Sequence, residues 1–484
     1  MPRRAAPLAL VLLLATGFGA RAWLSVVDDG IYWPDEIHAS LEPAHRLIHG
    51  YGLISWEYGV GARSWALPAL LAGVLWMADA AGLDDPREYL LLVRFLMSAL
   101  ALASAWAGYL LARRFGASEW AGVAGASVFA IAGPAVYFGP RALSDTISIL
   151  PVVLGLAFAL PASATRGERI AGASLLGVAL LLRLHTGIFG LALCAAWAGR
   201  RQWRSAAEIA GVFLTWGLIL GALDWVTWGE WFQSPRLYFD FTFGMDGGAL
   251  TGDSAVTYYA EMFVRSMPFI ALVLTPLALA GSFRAPALAF VVLVLLAAHL
   301  ITPNKAYRYV LVALPLAGAL GAVGLTWLAA RRPRLSRIAG VALVCGCLVS
   351  LVTMPMLTFR EIGPWERTRA SDSALDDVGP VNRLLIEAGR QSDVCGVRIQ
   401  THHLAWTGGY TYLHRHVPLY APDGPGPESG FYNYVIVLPE EAPGNPVAHD
   451  GNYVLRRIAS GCRPDPNYSY YLPGFEDIRR RLGR

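Results

Sequence analysis

The stretch Trp33–Ser64, WPDEIHASLEPAHRLIHGYGLISWEYGVGARS, decides how the chain is read. It gathers the carboxylates of Asp35, Glu36, Glu42 and Glu57, three histidines and two arginines directly after the first apolar run. Pro34 suits the first turn of a helix, and carboxylates just behind it face the positive end of the helix dipole. An ordinary helix start accounts for Asp35 and Glu36 equally well. Glu42, His45 and His49 follow at helical spacing, with Ile37, Leu41, Leu47 and Ile48 on an apolar side. The spacing predicts an amphipathic helix over 35–49 that lies on a bilayer surface rather than crossing it.

Outside this stretch the chain is dominated by hydrocarbon. Of 484 residues, 55% are hydrophobic and 15% charged, and the mean hydropathy is +0.45. Soluble chains carry about 25% charged residues, so the excess apolar surface must face lipid and the class is an α-helical polytopic membrane protein. The net charge of +4 is spread over loops, where it sets topology. With no nucleic-acid motif present, nucleic acid is excluded as a partner. Lys305 is the only lysine, and this arginine bias, with abundant alanine and glycine, points to a GC-rich bacterial genome and hence a bacterial inner membrane. Cys194, Cys345 and Cys347 sit in apolar runs as ordinary buried thiols. Cys395 and Cys462 lie in the polar tail, where an oxidising compartment would allow them to pair.

Residues 1–26 open with Arg3 and Arg4 and read as an uncleaved anchor, although Ala20-Arg21-Ala22 has the pattern of a cleavage site. Arginine clusters near residues 113, 166, 200, 284 and 331 belong inside, so neighbouring clusters enclose pairs of crossings. Segments at 119–138 and 143–160 form one such pair, leaving Arg141 and Asp145 outside. Residues 27–89 then make one outer loop, with 65–82 as an interfacial helix. Between Arg169 and Arg200 the apolar run is interrupted by Arg183, Leu184, His185, Thr186 and Gly187. Two half-helices meeting at such a polar break are tolerated only where the break lines a cavity or packs against protein. A span at 206–223 precedes a second, aromatic-rich outer loop at 224–261. Spans at 264–281, 286–302, 307–330 and 337–357 bring the total to about eleven crossings. Residues 1–357 thus form a membrane-embedded domain, and 358–484, with strand-like pieces such as YNYVIVL, a soluble α/β module outside. Its histidines 402, 403, 414 and 416 fit no zinc signature, and no metal or other cofactor is expected.

The pattern DE, LEPAHRL, GYG, SWEY and RS resembles the first luminal loop of mannosyltransferases that use a polyprenyl-phosphate mannose donor. These are the lipid-linked-oligosaccharide and GPI-anchor mannosyltransferases of glycosyltransferase family 22, with the membrane-embedded GT-C fold. Arg141–Asp145 (RALSD) resembles that family's R-x-LSN-type turn. Asn304–Tyr309 (NKAYRY) resembles its HKE-x-RF motif, with Asn304 and Ala306 where histidine and glutamate are usual. RLHT at Arg183 resembles an RPT-type motif, with Leu184 in place of proline. The resemblance implies inverting transfer from a lipid phosphate to a glycan or glycolipid acceptor at the bilayer. Such transfer needs a base for the acceptor hydroxyl and cations for the departing phosphate. Asp35, with Glu36 beside it, is the candidate catalytic carboxylate. Lys305, Arg308, Arg141 and Arg183 are the candidates for the donor phosphate. Glu42, His45, Trp56, Glu57, Arg63, Asp145 and His185 are candidates for substrate contact. For each arginine alone, a headgroup anchor at a helix end is the plain alternative. A GT-C transferase using another sugar, such as arabinose, is the nearest rival. A transporter should show repeated halves, and no internal repeat is present.

Overall fold

Helices dominate the computed structural model, which describes residues 5–244, 254–356, 375–441, 444–472 and 475–481. Arg3, Arg4, the Gly252-Asp253 pair of the loop expected at 224–261 and the first part of the tail lie outside the described residues. Among the described residues five helices are long and apolar enough to cross a membrane: Ala5–Val27, Pro86–Arg114, Trp203–Trp228, Tyr307–Arg331 and Pro333–Thr353. A bent pair, Tyr258–Ser266 and Pro268–Ser282, meets at 118° and makes a sixth if it is one span. Ala66–Ala80, Ser144–Ala159, Leu184–Gly199 and Pro286–Ile301 are shorter apolar helices. Several expected crossings are therefore broken where the sequence carries glycine, proline or a polar residue. The segment at 119–138 stops at Ala130 and resumes at Gly133-Pro134. The polar interruption expected after Leu182 is present: Arg183 leaves the helix with φ −155° and ψ 113°, and a single tight turn precedes Gly187–Gly199. Trp203–Trp228 runs past the expected end at 223, so the start of the loop expected at 224–261 is helical.

The chain forms two compact units. The first comprises Met1–Leu24, Phe95–Pro235 and Phe241–Glu361; the second, Ser25–Arg94, Arg236–Asp240 and Ile362–Arg484. In the first, helices pack through small residues, as expected where lipid supplies no hydrophobic drive between them. A Cβ at Gly125 would lie 2.3 Å from the Gly318 carbonyl oxygen, so backbones of the two helices touch there. Arg21, fully buried in the first helix, donates to the carbonyls of Phe129 and Ala135, 2.9 Å each, and of Ala130. The Phe129 and Ala130 carbonyls lie at the helix break, while that of Ala135 also accepts the Gly139 amide, so a lone arginine in an apolar run bridges the two sides of that break.

In the second unit the tail supplies a five-stranded sheet in the order β2-β1-β3-β5-β4. The strands are β1 (Val397–Ile399), β2 (Leu419–Tyr420), β3 (Tyr434–Val437), β4 (Asn445–Asp450) and β5 (Tyr453–Arg457). β1 is parallel to β2 and β3, and β5 is antiparallel to β3 and β4. Every residue of β3, YVIV, is buried, the continuous apolar run of a central strand. Gly451, with φ 53°, turns β4 into β5. Cys395 and Cys462 are joined as a disulfide.

The helix expected over 35–49 forms as Pro34–Glu36, a π-turn Ile37–Leu41 and Glu42–His49, ended by Gly50 at φ 82°. Its polar side is not turned to water or headgroups. Glu36, His38, Ser40, Glu42 and His45 are all buried, while Leu47 is half exposed. Part of the reason is that the tail supplies partners to His38, Glu42 and His45. His38 meets the Leu404 carbonyl at 3.2 Å, and Glu42 accepts hydrogen bonds from Thr411 and from the Leu53 amide. Ile54 pairs with the chain end, donating to Tyr470 at 2.8 Å and accepting from Leu472 at 3.0 Å.

Candidate functional site

Two charge clusters, one in each unit, collect most of the residues singled out from the sequence. In the second unit the extended Trp33 (φ −151°) leads into Pro34, which places Asp35 and Glu36 in the first helical turn. Their fates differ. Glu36 is buried and its Oε2 accepts the Tyr32 amide at 3.0 Å, just before the helix start at Trp33, so it ties down the chain entering the helix. Asp35 keeps its side chain 25% exposed, with Oδ2 3.3 Å from Arg63 Nη2. The same nitrogen lies 3.4 Å from Glu57 Oε1. One guanidinium thus serves two carboxylates. Burial, reinforced by the Asp35 charge, pushes Glu57 above its usual range despite Arg63. Burial also opposes the charge on Arg63, but Asp35 and Glu57 outweigh it and hold its pKa above the ordinary value. A carboxylate fixed by a guanidinium and still open on one side can receive a proton from a hydroxyl. Trp56 packs against Val60, Ala62, Leu237 and Phe475, which supports the turn carrying Glu57 and Arg63.

Glu42 and His45 are turned into the protein interior. Both Glu42 oxygens accept hydrogen bonds, from Leu53 and Thr411, and burial pushes the carboxyl up to about 7 against those bonds, which favour its charged form. His45 Nδ1 lies 3.1 Å from the Tyr51 carbonyl and Nε2 lies 3.0 Å from His414.

In the first unit Asp145, Arg183, His185 and Arg308 line one small cavity of about 20 Å³, together with Thr186, His299 and Tyr309. Asp145 Oδ1 is 2.7 Å from Arg183 Nη1 and its Oδ2 is 3.8 Å from Arg308 Nε. Both guanidinium carbons stand 5.2 Å from the centre of the Tyr309 ring. This position of Arg183 follows from the helix break, which turns a polar side chain inward where a continuous helix would have carried it past. Lys305 is not among the cavity residues. It is buried, and its ammonium donates to the carbonyls of Thr302 at 2.8 Å and Ser254 at 3.0 Å. Arg141 is also elsewhere, 4.2 Å over the Tyr137 ring.

A third cluster was not singled out from the sequence. Asp29 in the second unit lies 3.0 Å from Arg87, 3.3 Å from Arg94 and 3.5 Å from Arg383. Asn382 donates to its carbonyl at 2.8 Å. The only local signal was Asp28-Asp29-Gly30, which reads as a plain turn. Of the tail histidines, His402 meets Thr401 at 2.9 Å, His403 accepts the Ala405 amide at 3.2 Å, and His416 stacks on Tyr51.

Residues 12–362 match the Alg9-like mannosyltransferase family. GPI mannosyltransferase 3 of Yarrowia lipolytica is 43% identical over 72 residues, 15% of this chain and 14% of that protein. Mannosyltransferase APTG1 of Arabidopsis thaliana is 27% identical over 302 residues, 59% of this chain and 53% of that protein. The matches thus span about half or less of the length of these relatives, both of them eukaryotic. Among solved structures, ArnT from Cupriavidus metallidurans bound to undecaprenyl phosphate is similar with a TM-score of 0.62. At 14% identity the likeness is one of fold, over 94% of this chain and 99% of that one.

Proposed function

The chain belongs to the Alg9-like mannosyltransferase family, and we propose that it moves a mannosyl residue from a polyprenyl-phosphate donor to a hydroxyl of a glycan or glycolipid acceptor. The acceptor oxygen attacks the anomeric carbon, the bond from that carbon to the phosphate oxygen breaks, and configuration inverts. The hydroxyl proton goes to Asp35. The negative charge left on the lipid phosphate is met by Arg308 and Arg183, with Lys305 and Arg141 as further cations. Glu57 and Arg63 position Asp35, and His185 lines the same cavity as the two arginines. ArnT, similar in fold, has been solved with undecaprenyl phosphate, the kind of lipid phosphate such a reaction would release.

The observation that carries this reading is the pairing of a partly open Asp35 with Arg63, in a turn whose other acid, Glu57, is more deeply buried. The proposal includes the topology: about eleven crossings, membrane-embedded residues 1–357, and the loop 27–89 and the module 358–484 on the outer face. Placement in a bacterial inner membrane rests on the arginine bias alone, since the relatives named above are eukaryotic. The test is to incubate the purified protein with an acceptor extract and several polyprenyl-phosphate sugars, wild type beside Asp35→Asn. Consumption of the mannose donor by the wild type alone is expected. Consumption of a pentose donor instead would overturn the choice of sugar, and full activity of Asp35→Asn would overturn the choice of base.

A further inference from the structure

Three imidazoles from distant parts of the sequence meet within the second unit. His45 and His49 stand one turn apart on the helix Glu42–His49, so they project from the same face. His414 follows the short helix Gly409–Leu413 and is held at φ 46°, a left-handed conformation unusual for a residue with a side chain. The ring centres are 4.4 Å (His45–His49), 4.7 Å (His49–His414) and 5.3 Å (His45–His414) apart. One nitrogen from each ring falls within 4.8 Å of the other two.

The surroundings favour a ligand reading over simple ring packing. His45 Nδ1 is 3.1 Å from the Tyr51 carbonyl, which can only accept, so Nδ1 carries the proton and Nε2 presents its lone pair to the cluster. His49 Nδ1 lies 3.9 Å from an Asp79 carboxylate oxygen, too far for a hydrogen bond but near enough to add negative charge beside the cluster. A carbonyl behind the imidazole, as at His45, is the support that metal-binding histidines ordinarily have. His45 Nε2 and His414 Nδ1, 3.0 Å apart, are near the separation of two nitrogens bound to one tetrahedral ion, about 3.3 Å for bonds of about 2.0 Å.

We propose that His45, His49 and His414 bind one divalent transition-metal ion of the zinc class, with a fourth position open to water. The ion staples the helix that follows Asp35 to the tail at His414. It takes no part in sugar transfer, and the proposal stands whether or not the sugar donor is the one named above. Spacing within the tail hid the site, because two of its three ligands lie in the first outer stretch.

The test uses the full-length protein in detergent, purified on a tag without histidine and stripped with a chelator. Titration with Co²⁺ should give visible absorption of a four-coordinate, nitrogen-ligated ion that saturates at one equivalent and is displaced by Zn²⁺. His49→Ala, at the half-buried end of the helix, and His414→Asn, which tolerates the left-handed backbone, should each weaken Co²⁺ binding at least tenfold. Zn²⁺ should raise the Tm of the wild type and leave that of both variants unchanged. Absence of saturable Co²⁺ binding in the wild type overturns the site. So does wild-type affinity in both variants, and the wild-type titration decides alone if either variant fails to fold.

Discussion

The two charge clusters follow opposite plans. In the first unit one carboxylate, Asp145, faces two guanidiniums, Arg183 and Arg308; in the second, one guanidinium, Arg63, faces two carboxylates, Asp35 and Glu57. Their exposures differ too. Asp145 and Arg308 are almost sealed, at 3% and 2%, whereas Asp35 and Arg63 are each about a quarter open. An ion pair by itself says little about function, since burying two charges costs nearly what their attraction returns. The ratio of charges among the described residues says more. Two guanidiniums around one carboxylate suit an oxyanion, and two carboxylates around one guanidinium suit a proton.

The largest effect should come from removing the proton acceptor. Asp35→Asn keeps an oxygen for Arg63 and should lower kcat by about 10³-fold with little change in Tm. A loss of less than tenfold, measured with a polyprenyl-phosphate mannose donor, would erase the functional contrast between the clusters. Next is Arg308→Gln, which removes one cation from the other cluster and should cost about 10²-fold in kcat/KM. If kcat/KM is unchanged, Arg308 is structural. Lys305→Ala should cost about tenfold, mostly as a higher KM for the donor, because its ammonium is already engaged by the Thr302 and Ser254 carbonyls. An effect confined to the acceptor KM would move Lys305 out of the phosphate group.

Much of the frame was legible because membrane physics is written locally. Apolar runs announced the helices, the interruption at Arg183 announced a broken one, and YNYVIVL announced the central strand. Pairings across hundreds of residues left no periodic trace. Nothing near His45 points to His414, and nothing near Asp29 points to Arg383. The amphipathic reading of 35–49 missed for the same reason. Its polar side had the composition of a wetted face, but Thr411 and the Leu404 carbonyl, far along the chain, turn it into a buried one. Of the candidate residues, Asp35, Arg183 and Arg308 lie in charge clusters, which their residue types allowed to be expected. The separate uses of Glu36 and Glu42 required the packed structure.

Glu42 offers the mildest test, because it touches the acidic plan of the second unit without touching the reaction. It is fully buried, and its carboxyl is raised from the ordinary 4.5 to about 7, burial being the leading cause. In that window the folded chain keeps a proton that the unfolded chain has released. Its contribution to stability is therefore complete below about 4.5 and is lost as pH rises through about 7. His45 and His414 titrate with the opposite sign, since burial lowers both, so the wild-type profile alone mixes the two. The difference between wild type and Glu42→Gln isolates the acid. The Tm advantage of the wild type should be greatest near pH 5 and shrink by a few degrees towards pH 8, on the order of 1–3 kcal/mol. A difference that does not vary with pH would mean that Glu42 is ionised throughout, held by Thr411 and Leu53. The second unit would then carry a further buried negative charge, and the contrast between the two clusters would be sharper than the pair at Arg63 alone implies.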